Sequence, residues 1–132
     1  MPLPITALYA GPLAIWILVL TLGVVRVRRK NLISLGHAEN KQLEQRIRGH
    51  GNAVETIPIA LILLGLAEGL GTPALVLHLL GLLLVVGRVM HGIHFLQGRQ
   101  ALTFRFYGML LTIIAIALLA LGVFAHGVAD LV

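Results

Sequence analysis

The sequence contains no cysteine, and only 11% of its 132 residues are charged. The first absence removes disulfides, thiolate metal sites and a protein thiol nucleophile. The second separates the chain from soluble domains, in which about 25% of residues are charged. Aromatic residues are sparse at 5%, yet hydrophobic residues reach 58%, above the roughly 45–50% of a soluble fold. A soluble chain of this length would have to expose that excess as large apolar patches, which aggregate. Disorder is excluded for the opposite reason, since low hydrophobicity is what leaves a chain unfolded. The composition is that of a small integral membrane protein.

A spanning helix needs roughly 20 mostly apolar residues. Four runs meet that length, at about 7–25, 53–70, 74–96 and 106–129. They are continuous rather than alternating, which excludes the roughly ten-residue strands of a membrane barrel. Every backbone group must be satisfied inside lipid, so the runs are expected to be helices. The fold expected is an all-α, integral membrane four-helix bundle, with 1–132 as a single transmembrane domain. The first run is not a signal peptide, because its charges, Arg26, Arg28, Arg29 and Lys30, follow the apolar segment instead of preceding it. Gly69–Pro73 and Gln97–Gln100 are expected to be short turns, and Glu39–Gln45 the solvated start of an extended second helix.

All ten Lys and Arg residues fall on one side of this plan, at the first loop, the third loop or the helix ends beside them. The positive-inside rule makes that side cytoplasmic, with both termini outside, periplasmic if the membrane is a bacterial inner one. The net charge of +5 is thereby a topology signal with some anionic-lipid contact, and nucleic acid is not implied.

Several polar side chains do not fit a purely apolar bundle. Arg48, Asn52 and Glu55 stack on one face of a helix at 3.6 residues per turn. Arg88, His91 and Phe95 share a face of the third helix, with His94 turned from it. Arg105 opens the fourth, and Arg26 ends the first. A charge at mid-span costs about 2.5–3.5 kcal/mol and less near the interface. Taken singly, each residue reads as an anchor or a local ion pair. Together they converge at one depth near the cytoplasmic leaflet. Four arginines against Glu55 call for an anionic ligand, because guanidinium grips carboxylates with paired hydrogen bonds. Asn52 and Glu55 are expected to accept an ammonium or amide from it, so a peptide-like molecule with two carboxylates and one amine fits. A metal site is not expected: His91 and His94 are three apart, with no Asp or Cys to join them. His37, His78 and His126 look scattered.

The run Glu44-Gln-Arg-Ile-Arg-Gly-His-Gly-Asn-Ala-Val-Glu-Thr56 resembles the helix-two signature of the MAPEG family, membrane-associated proteins in eicosanoid and glutathione metabolism. Gly87-Arg-Val-Met-His91 resembles the helix-three motif of its prostaglandin E synthase branch, and Val25-Arg-Val-Arg-Arg-Lys30 the basic end of its helix one. The resemblance covers essentially the whole chain. It implies a homotrimer binding glutathione between subunits near the cytosolic face and acting on a lipophilic small molecule, as a transferase or peroxidase. Carried over, Arg48, Asn52 and Glu55 would hold glutathione, Arg88 and His91 would contact it from helix three, and Arg26 would reach in from helix one. Arg105 would stabilise the thiolate, with Arg99 as its rival. Phe95 stands where the family often has tyrosine, and Tyr107 is the residue that would compensate. Two other classes stay open: a non-catalytic family member that binds lipid or a partner protein, and a small proton-coupled exporter using Glu55.

Overall fold

The computed structural model describes residues 2–97 and 102–131. Four helices account for nearly all of them: α1 (Pro4–Asn31), α2 (Lys41–Gly69), α3 (Ala74–Gln97) and α4 (Leu102–Ala129). Each is long and apolar enough to cross a membrane. The helices contain the expected spans, save Leu70 just past α2, and extend beyond most of them. The expected second turn falls largely outside the described residues, and its Gln97 ends α3.

Local chemistry sets the ends. Proline opens α1, where its missing N–H costs nothing. Arg28, Arg29 and Lys30 close that helix, favourably placed against its negative dipole end. Helix α2 starts only after Asn40, whose side chain accepts the Leu43 N–H at 3.0 Å. Between α2 and α3, Gly71 takes a φ of +81°, a left-handed geometry that glycine adopts without a Cβ clash.

The middle helices pack against each other and against both outer ones, while α1 and α4 do not meet among the described residues. The cross-section is a rhombus with α2 and α3 on its short diagonal. Buried α2 positions recur every three to four residues from Ala53 through Ile57, Ala60 and Leu64 to Ala67, the stripe of a helix facing a core. Large apolar residues such as Leu18, Leu22, Ile62, Leu79 and Leu121 remain exposed, as lipid-facing surfaces require.

Small residues let the helices approach, the means by which helices associate where lipid removes the hydrophobic drive. A Cβ on Gly108 would lie 2.5 Å from the His91 backbone nitrogen and 2.7 Å from the Gly87 carbonyl oxygen. That is backbone against backbone, and nothing can yield. Gly81 and Gly92 similarly lie under the rings of Tyr9 and Trp16. Gly65, by contrast, has only ordinary van der Waals neighbours.

At the far end of the bundle, Glu68 of α2 accepts the backbone N–H groups of Ile5 (2.9 Å) and Thr6 (2.7 Å), and the Thr6 hydroxyl (2.7 Å). It acts as an N-terminal cap supplied by another helix, satisfying donors that α1 cannot satisfy itself. Glu68→Ala should lower stability by about 0.5–2 kcal/mol, the range of a lost cap. Thermal unfolding in detergent measures it, and an unchanged midpoint would remove Glu68 from that role.

Candidate functional site: a mixed-charge cleft between helices two and four

A cleft of about 1310 Å³ opens between α2 and α4, with α3 behind it. Its α2 wall is polar, with Glu44, Arg48, Asn52 and Glu55 on successive turns. Its α4 wall is apolar below Arg105, with Phe106, Met109, Leu110 and Ile113. His91 and Phe95 come from α3, and His37 from the α1–α2 loop.

Of the residues expected at the site, Arg48, Asn52, Glu55, His91, Phe95 and Arg105 line this cleft. Arg26, Arg88 and Tyr107 do not. Arg26 is exposed near the end of α1, a helix that does not touch α4. Tyr107 is half exposed on α4, its ring stacked edge-on against Phe106 at 5.3 Å. Arg99 lies outside the described residues.

Arg88 is the main departure from expectation. It is 1% exposed, behind the α2 wall instead of in the cleft. Its Nη1 donates to Asn52 Oδ1 at 3.0 Å and to the Thr56 hydroxyl oxygen. The Thr56 hydroxyl in turn donates to the Asn52 carbonyl at 2.7 Å. The Arg88 carbonyl accepts Trp16 Nε1–H at 3.0 Å, so α1, α2 and α3 meet at this one residue. Arg88 Nε and the Nδ1 atoms of His91 and His94 are buried without a hydrogen-bond partner among the described residues.

The polarity of Asn52 is corrected as well. Its oxygen already accepts from Arg88, a contact within the protein that the expected role of receiving a ligand ammonium did not include. The charge balance also differs. Within the cleft Arg48 and Arg105 face Glu44 and Glu55, a balanced set, and the further cation, Arg88, stands behind it. Helix α2 contributes earlier than expected, since Glu44 and Gln45 line the cleft instead of forming only a solvated face. His37, apparently scattered in sequence, is brought to the rim where Ala38 and Glu39 take left-handed backbone angles (φ 46° and 57°). No periodicity could have found it.

Phe95 organises the back of the cleft. It is buried against α2 at Gly49, where an added Cβ would sit 2.5 Å from the Phe95 Cβ. The rings of His91 and His94 pack on it at 5.1 and 4.9 Å between centroids; His94, turned from the cleft as expected, is buried here. On the cleft side the Arg105 guanidinium lies 5.6 Å from the Phe95 centroid, within the range at which a cation is attracted to a ring face. Among the described residues no three His, Asp or Glu side chains gather as a metal site would require.

A four-helix membrane protein with a cleft half charged and half apolar is the class that this geometry defines. The chain belongs to the MAPEG family, whose model matches residues 6–125. It is also 35% identical over 116 residues to the inner membrane protein YecN of Escherichia coli K12, covering 84% of this chain and 88% of that one. YecN of Escherichia coli O6:H1 matches to the same extent.

Gly49→Ala should push Phe95 away from α2, at an overpacking cost of about 1–3 kcal/mol. The melting temperature in detergent tests this; a variant as stable as the parent would show that Phe95 is not held there.

Proposed function

We propose that this protein is a glutathione-dependent membrane enzyme that presents the thiolate of glutathione to a lipophilic electrophile or peroxide. The observation carrying the reading is the cleft's division between a wall of alternating charge on α2 and an apolar wall on α4. Arg48 suits a carboxylate of glutathione and Arg105 its thiolate, and Glu44 and Glu55 suit its ammonium. The cleft exceeds the about 300–1,000 Å³ of a single small-ligand pocket, leaving room for a second molecule along Phe106, Met109 and Ile113. Family membership supports the same cofactor.

Bound glutathione supplies the nucleophilic sulfur, which this cysteine-free chain cannot. Arg105 places a guanidinium where it favours the anionic sulfur, and a thiol pKa near 8.5 needs only about 2.7 kcal/mol to fall by two units. Phe95 steadies Arg105 from behind without competing for the negative charge, a service a carboxylate could not give. Arg48, Asn52 and Glu55 bind and orient the peptide. The α4 wall holds the apolar substrate against the bilayer.

The working form we infer is a homotrimer in a bacterial inner membrane, the compartment named for YecN. The 132 residues make one domain, both termini lie on the periplasmic side, and the cleft opens toward the cytoplasmic leaflet. That orientation rests on the one-sided arrangement of basic residues. In a trimer Arg26, remote from its own cleft, is free to reach a neighbour's.

An ultraviolet difference spectrum during titration with glutathione tests the proposal, since the chain contributes no thiol background. A saturating thiolate band is expected, lost in Arg105→Ala with affinity kept within a few-fold. Arg48→Ala and Glu55→Gln should each weaken binding at least about tenfold, or about 1.4 kcal/mol. Binding without a band would overturn the catalytic reading in favour of a non-catalytic binder, and no binding would overturn the cofactor.

A further inference from the structure

Arginine carries only hydrogen-bond donors, so whatever faces its guanidinium must accept. Arg88 Nη1 lies 3.0 Å from the Asn52 side chain, and the amide atom there is therefore oxygen; a nitrogen would set donor against donor. The two hydrogens of Nη1 are both used, one on Asn52 Oδ1 and one on Thr56 Oγ1. The Thr56 proton closes the loop on the Asn52 carbonyl. Asn52 is thus held by its side chain and its backbone at once.

Arg88 itself cannot turn away. It is 1% exposed, its carbonyl is tied to Trp16, and Gly92, one turn on, lies against the Trp16 ring. With Oδ1 directed at Arg88, the amide nitrogen, on the opposite side of the planar group, is the atom that this orientation turns toward the cleft that Asn52 lines.

From this geometry we infer that Arg88 is a positioning residue, which locks Asn52 as a donor so that the ligand atom received there is a carboxylate or carbonyl oxygen and not an ammonium. The inference deepens the glutathione reading and rests on it for the identity of the ligand. It orders the α2 wall chemically: Arg48 donates, Asn52 donates and Glu55 accepts, over seven residues or about 10.5 Å of helix. An ammonium is thereby directed to Glu55, and an anionic or carbonyl oxygen to the other two.

Asn52→Asp separates this role from a purely structural one. Its carboxylate keeps the Arg88 hydrogen bond, now charge-assisted, but turns only an acceptor toward the cleft. The melting temperature should hold or rise while glutathione affinity falls at least tenfold. In an Arg88→Met background the same change should lower the melting temperature, because the carboxylate loses its partner. Arg88→Lys, which keeps a buried donor, should recover part of the affinity that Arg88→Met loses. Undiminished glutathione binding by Asn52→Asp would overturn the inference and leave the cofactor reading intact. So would an equal effect of Asn52→Asp on melting in both backgrounds.

A ligand-free arm decides the case even if the wild type binds no glutathione. The Asn52 side-chain N–H resonances should be broadened by a water-soluble paramagnetic agent in the wild type. Protected resonances would overturn the orientation whatever becomes of the cofactor.

Discussion

An arginine held by neutral groups sits where three helices meet, and the rest of the site is arranged around it. Burying that cation within a span carries a cost of a few kcal/mol, which only well-made hydrogen bonds can offset. Asn52 and Thr56 accept from Arg88 on the α2 side, and Trp16 donates to its carbonyl from α1. These bonds are directional, so they fix the register of α1, α2 and α3 more narrowly than apolar contact would. An interhelical hydrogen bond in a membrane contributes modestly, often under about 1–2 kcal/mol. The consequence here is geometric more than energetic: Arg88 determines which way Asn52 faces.

The network is possible only because the backbones come close. Gly49 admits Phe95, Gly92 admits Trp16, and the Gly87–Gly108 pair brings α3 and α4 into backbone contact. That last contact brings α4 against α3 next to His91, one turn from Arg105. Packing and chemistry are therefore not independent: the glycines that let the bundle close also set the distance between the polar wall on α2 and the cation on α4.

How much of this was legible depended on where the information lay. The four spans follow from run length, and Arg48, Asn52 and Glu55 from the 3.6-residue period, because both are properties of one segment. Arg88 and His91 share a helix face and are both buried, yet only His91 lines the cleft. The rotation of α3 against α2 and α4 decides that, and no single segment encodes it. Glu68 lies within an apolar run and caps α1, a role visible only once the two ends are adjacent. His37 depends on left-handed backbone at Ala38 and Glu39, residues that do not announce such angles as glycine would.

Asn52 and Arg105 are held in the cleft by different physics, and the difference matters for the chemistry. Asn52 is braced from behind by hydrogen bonding to a buried cation, so its amide is oriented before a ligand arrives, and little ordering of it remains to be done on binding. Arg105 is exposed and rests on the face of Phe95, an attraction of about 0.5–1 kcal/mol at an exposed site. Such a contact guides a side chain without fixing it. In the proposed reaction, a braced Asn52 beside a cation free to follow the sulfur as charge develops would suit thiolate stabilisation next to the apolar α4 wall. A tyrosine at position 95 would add a hydroxyl able to compete for that charge. In the proposed reaction, phenylalanine would leave the charge on the sulfur to the cation.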